Sequence, residues 1–133
     1  MSQHSKWIVH IVLLLVISTS LGCGKTQPKL VPVSGTVTHD GKALAEGTIY
    51  FKTVETGALE TMTITDGKFA GMAEPGERRI EISAYKTVVL KNDAMKGEIK
   101  ENLVADRYNL NSTLTATVTE QGPNTFTFEV KSK

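Results

Sequence analysis

The chain has 133 residues, enough for one domain with a core of its own and no covalent staples. Its single cysteine excludes an intrachain disulfide. Lys and Arg number 15 against 14 Asp and Glu, a balance that gives neither the clustered basic charge nucleic acid requires nor a polybasic patch for anionic lipid. In chain order, Met1–Lys6 is short and polar and carries one lysine. Trp7–Ile17, 11 residues, is apolar apart from His10, and Ser18–Gly22 is small and weakly polar apart from Leu21. A positive start, a short apolar stretch and a small-residue end are the layout of a helical signal peptide over residues 1–22. The apolar run falls well short of the ~20 residues of a membrane-spanning helix, so a permanent transmembrane anchor is the weaker reading.

The end of that segment, Ser20-Leu21-Gly22-Cys23, resembles the bacterial lipobox, in which a small residue precedes an invariant cysteine. The lipobox usually has leucine three places before the cysteine; here Ser20 holds that place and Leu21 follows it. The resemblance implies that the Cys23 thiol carries a diacylglyceryl group and that the mature chain begins there; the alternative is an incidental thiol in a plain signal peptide. One acyl chain binds membranes marginally, whereas two anchor stably. Cleavage leaves 111 residues with 14 basic and 14 acidic side chains, so the acyl chains on Cys23 are the expected membrane attachment. Residues 23–30 read as the lipidated cysteine and a polar tether: Gly24–Lys29 contains Gly and Pro and reaches ~20 Å at most.

From Val31 to Lys133 the pattern is alternation, and period two predicts strands. Val31, Val33, Gly35 and Val37 share one face. His39-Asp40-Gly41-Lys42 is a hairpin turn, because Gly accepts positive φ. Thr48–Val54 places Ile49 and Phe51 on one face, and Leu59–Thr65 does the same with Met62 and Ile64. A second tight turn, Asp66-Gly67-Lys68, leads to a short strand at Phe69 and Gly71. After the turn Glu74-Pro75-Gly76-Glu77, Arg79–Lys86 alternates with Ile80, Ile82 and Ala84 inward, and Arg78-Arg79 reads as a polar strand edge. Thr87–Leu90 extends that strand. Lys91–Lys100 is charged without alternation, so residues 91–111 read as a long loop, weighed as a crossover rather than a binding loop. Leu114, Ala116 and Val118, then Phe126, Phe128 and Val130, form the inward faces of the last two strands. About seven strands with one wet and one apolar face each predict an all-β fold: an antiparallel β-sandwich, with a small closed barrel as the alternative.

The ordered series Val33-Ser34-Gly35-Thr36-Val37, Asp40-Gly41-Lys42-Ala43-Leu44, Gly47-Thr48-Ile49-Tyr50-Phe51, Thr65-Asp66-Gly67-Lys68-Phe69, Pro75-Gly76, Arg107-Tyr108-Asn109, Ser112-Thr113-Leu114-Thr115 and Asn124-Thr125-Phe126-Thr127-Phe128 carries a further likeness. It resembles the small planctomycete-type lipoproteins with a transthyretin-like, or carboxypeptidase-regulatory-like, β-sandwich. That resemblance implies a prealbumin-like sandwich of about seven strands, an exported, lipid-anchored location and no catalytic residues.

The residues themselves offer little chemistry. His4 and His10 leave with the signal, so His39 is the one histidine of the mature chain. It cannot build a zinc site without further His or Cys ligands, and no metal or cofactor is expected. Ser34 and Asp40 lie near His39 in sequence, but on an alternating strand and a turn they do not predict a Ser-His-Asp set. Tyr108 is expected to pack against one end of the fold with its hydroxyl bonded to backbone, and Tyr50 with Tyr85 to form a weak aromatic strip. The expectation is a non-enzymatic protein anchored to the cell membrane or outer membrane, facing the periplasm or the surface. It acts as a structural or protein-interaction module with an envelope-protein partner; the alternative is small-ligand or carbohydrate (glycan) binding.

Overall fold

In a computed structural model, residues 29–91 and 97–133 are described. The expected signal segment 1–22, Cys23 and most of the expected tether lie outside the described residues. The fold is all-β, with one 3₁₀ turn at Asp106–Tyr108. Its strands are β1 (Val31–His39), β2 (Lys42–Ala43), β3 (Glu46–Lys52), β4 (Leu59–Thr65), β5 (Lys68–Ala73), β6 (Gly76–Ser83), β7 (Tyr85–Val89), β8 (Glu98–Asn102), β9 (Thr115–Val118) and β10 (Thr125–Val130). Both Asp-Gly turns form as expected. Asp40 and Gly41 have φ of 50° and 80°, and Asp66 and Gly67 have 50° and 74°, the pairing of positive values a two-residue type I′ hairpin requires.

One sheet runs in the order β10-β1-β5-β4-β3-β6-β9, with the short β2 beside β1. At its middle, β4 and β5 pair through a single residue couple, Thr65 with Lys68, next to their turn. The sheet therefore divides there into two leaves, β10-β1-β5 and β4-β3-β6-β9. Val33, Val37, Phe69, Phe128 and Val130 of the first leaf and Ile49, Phe51, Ile64, Ile80, Ile82 and Val118 of the second are buried in one core. The Phe51 ring meets Phe69 and Phe126 of the other leaf at 6.0 Å between centroids. Each such side chain contributes on the order of 1.5–3 kcal/mol by leaving water.

The structure departs from the expected strand pattern in three places. β1 and β10 run parallel, from Ser34 beside Thr125 to His39 beside Val130, because alternation reports which face is buried and not the direction of the chain. Thr87–Leu90 does not prolong β6; after Ala84 the chain leaves the large sheet as β7 and pairs with β8 in a separate two-stranded ribbon. Part of the region read as a loop is thus strand, and its charges were misleading because neither face of this ribbon is buried. The remainder, Leu103–Leu114, is bound to the edge of β6. Asn109 Nδ2 donates to Ile82 O at 3.1 Å and to Ser83 Oγ, and Ser112 Oγ donates to Ile80 O.

Candidate functional site

The register gives the molecule two distinct ends. β1 begins at Val31 beside Ala73, next to the 74–75 turn, and Asn124 Nδ2 donates to Pro32 O at 3.3 Å, so the chain enters β1 at this end. The opposite end carries the Asp40-Gly41 and Asp66-Gly67 turns, the departure of the ribbon after Ser83 and the C-terminal residues.

At the far end the fold brings His39 and Asp40 not to Ser34 but to Ser132, because β10 runs parallel to β1 and delivers its C-terminus beside His39. Ser34 lies five residues back along β1, ~17 Å away. Ser132 Oγ donates to Asp40 Oδ2, and Ser132 N donates to Asp40 Oδ1 at 3.1 Å. His39 Nε2 stands 3.3 Å from Ser132 Oγ and 3.5 Å from Asp40 Oδ2. This wiring does not activate a nucleophile. In a serine-histidine-aspartate relay the hydroxyl gives its proton to one ring nitrogen and the carboxylate orients the other. Here the carboxylate itself accepts the hydroxyl's hydrogen bond, and both groups crowd one nitrogen. The cluster clamps the end of β10 to the first hairpin.

The Ser132 hydroxyl and amide, with smaller contributions from His39 and Lys131, hold the Asp40 carboxyl below the usual carboxylate range. A group depressed on folding stabilises above its unfolded value, and that contribution disappears as pH falls through the folded value. Acid unfolding should therefore show a component below about pH 4 that Asp40→Asn removes. Equal acid sensitivity of the two proteins, followed by circular dichroism, would contradict the clamp.

At the end where β1 begins, a groove of about 540 Å³ lies between the 53–56 and 74–77 turns and the start of β9. Arg78 lines it. The expectation of a polar edge for Arg78 is corrected: the residue is 2% exposed and shares the inward face of β6 with Ile80 and Ile82. That parity was present in the sequence. Its Nε donates to Glu74 O at 2.9 Å, and its Nη2 to Glu74 Oε2 at 3.0 Å and Pro75 O at 3.1 Å. Arg79 pairs with Glu81. Arg78 Nη1, Arg79 Nε, Thr53 Oγ1 and Glu60 Oε2 are buried without a partner among the described residues. Each arginine pairs with a glutamate and keeps one buried nitrogen without a partner among the described residues, and no aromatic ring lines the groove.

Tyr108 packs against the core with the Arg107 guanidinium 4.9 Å from its ring centre, while its hydroxyl makes no hydrogen bond among the described residues. Tyr50 sits in the large sheet opposite Glu81, and Tyr85 opens the ribbon opposite Asn102. Among the described residues, no group of three or more His, Cys, Asp or Glu side chains is arranged to hold a metal ion, and no helix is long and apolar enough to cross a membrane. Cys23 lies outside the described residues. Compared with protein families, curated proteins and solved structures, the chain matches none of them.

Proposed function

We propose that this chain is an exported lipoprotein whose β-sandwich, of the transthyretin-like kind, is held at a bacterial envelope membrane by acyl chains on Cys23. It works there without catalysis, as a structural or protein-interaction module. The observation that carries the reading is Gly22-Cys23, with the sole thiol of the chain, which closes the small-residue stretch after an 11-residue apolar run and stands eight residues ahead of the first strand. The two-leaf division of the sheet around one core supports the sandwich. The His39–Asp40–Ser132 wiring, in which the carboxylate accepts the hydroxyl's hydrogen bond, supports a role without hydrolytic chemistry. Entry of the tether beside the 74–75 turn points the ribbon and the C-terminus away from the bilayer.

Cell fractionation tests the anchor. Wild type should sediment with membranes, be released by detergent and incorporate labelled fatty acid, whereas Cys23→Ser should incorporate none and keep residues 1–22. Wild type that carries no fatty-acid label, or label retained in Cys23→Ser, would overturn the lipoprotein reading.

A further inference from the structure

The β7–β8 ribbon is built to be completed. Its two strands pair only with one another among the described residues, and all of Tyr85, Lys86, Thr87, Val89 and Glu98–Glu101 are exposed. A two-stranded antiparallel ribbon with no buried face is marginal in water; three or more strands with an apolar face are needed for independent stability.

The hydrogen-bond phase shows which peptide groups of β8 are free. Leu90 N donates to Gly97 O at 3.0 Å, and Leu103 N donates to Ala84 O at 2.7 Å. Antiparallel pairs alternate between bonded and unbonded. Val88–Ile99 and Lys86–Glu101 are therefore the bonded couples, and Glu98, Lys100 and Asn102 turn their peptide groups outward. Any strand added to this edge must bond at those three residues.

A second copy of β8, added antiparallel about a two-fold axis, has two registers that satisfy the phase without setting two glutamates opposite one another, as axes on Glu98 and Glu101 do, or pairing only the end of the strand, as one on Asn102 does. Centred on Lys100, it sets two lysines directly opposite one another. Centred on Ile99, it sets Glu98 against Lys100 twice, as bonded couples, and Ile99 against Ile99 as the unbonded couple, where side chains come closest. Opposite charges across strands favour pairing and like charges oppose it. The second register also aligns Val88 and Ile99 of each copy into one apolar strip across four strands. In the single chain Ile99 is 47% exposed, and the Lys86–Glu101 ion pair, at 3.3 Å, lies on the same face beside the strip.

We propose that two copies of this chain associate through β8, antiparallel about Ile99, to make a four-stranded ribbon. The inference rests on the ribbon alone and not on lipidation. The contact is short, well under the ~1,000 Å² of a lasting complex, so it is weak between dilute molecules and is best read by trapping.

The full chain carrying Cys23→Ser has no other thiol, and a cysteine is placed in it at position 99, 88 or 100. Across the proposed axis the Ile99→Cys β-carbons stand about 4.5–5.5 Å apart, close to disulfide geometry. Those of Val88→Cys are three strand spacings apart, ~14 Å. Under mild oxidation Ile99→Cys should form covalent dimer ~10-fold faster than Val88→Cys or Lys100→Cys. Adding Lys100→Glu to Ile99→Cys should slow it to the Val88→Cys rate, and adding Glu98→Lys as well should restore it, which separates pairing from a folding defect. Equal rates at 99 and 88, a faster rate at 100, or indifference to Lys100→Glu would each overturn the proposal.

Discussion

Gly35→Ala should lower the unfolding free energy by about 3 kcal/mol or more, at the upper end of what one added methyl group costs in a packed interior. Gly35 occupies an inward position of β1, between Val33 and Val37, with Phe126 of β10 on one side and Phe69 of β5 on the other. A β-carbon there would stand 2.0 Å from Phe126 O and 2.7 Å from the tip of the Phe69 ring. The ring could turn only by disturbing its packing on Phe51. The carbonyl oxygen belongs to the backbone of the strand paired in parallel with β1, so relief requires opening that pairing. Gly57→Ala is the comparison. Gly57 has φ of 72° and nothing within 4 Å of an added β-carbon, so its cost is the left-handed backbone alone, about 1–2 kcal/mol. Urea unfolding should show a far larger drop in midpoint for Gly35→Ala than for Gly57→Ala; equal drops would mean that β10 does not lie against β1 as described.

Arg78→Ala should cost about 3–5 kcal/mol, the range for removing one member of a buried ion pair. The guanidinium makes three hydrogen bonds to Glu74 and Pro75 from inside the core face, and its methylene stem fills volume that alanine leaves empty. Glu74→Gln should cost far less, about 1 kcal/mol, because the amide oxygen still accepts and Arg78 keeps both carbonyl bonds. Salt should hardly change the Arg78→Ala loss, since buried charges are poorly screened. A loss below 1 kcal/mol, or one that vanishes in high salt, would return Arg78 to the solvated edge that its charge suggested.

What the sequence disclosed follows from burial. Where one face of a strand is dry, as at Val33 and Val37, Ile49 and Phe51, or Phe128 and Val130, alternation names the core residues and the Asp-Gly pairs name the turns. Where both faces are wet, as in β8, the pattern is silent although the strand is real. Arg78 obeyed the inward parity of Ile80 and Ile82, and its charge outweighed that signal in the reading. Ser132 and His39 are 93 residues apart, and only the parallel pairing of β10 with β1 joins them; no local pattern encodes strand direction. The proposed anchor is the reverse case: Cys23 is legible in sequence and lies outside the described residues.

The most direct test of the central reading is therefore made at that cysteine: intact-mass analysis of the membrane fraction, wild type against Cys23→Ser. Wild type should show a mass lacking residues 1–22 and increased by a diacylglyceryl group or more, and Cys23→Ser should show no acylated form. A wild-type protein cut before Cys23 but free of acyl groups would contradict that reading.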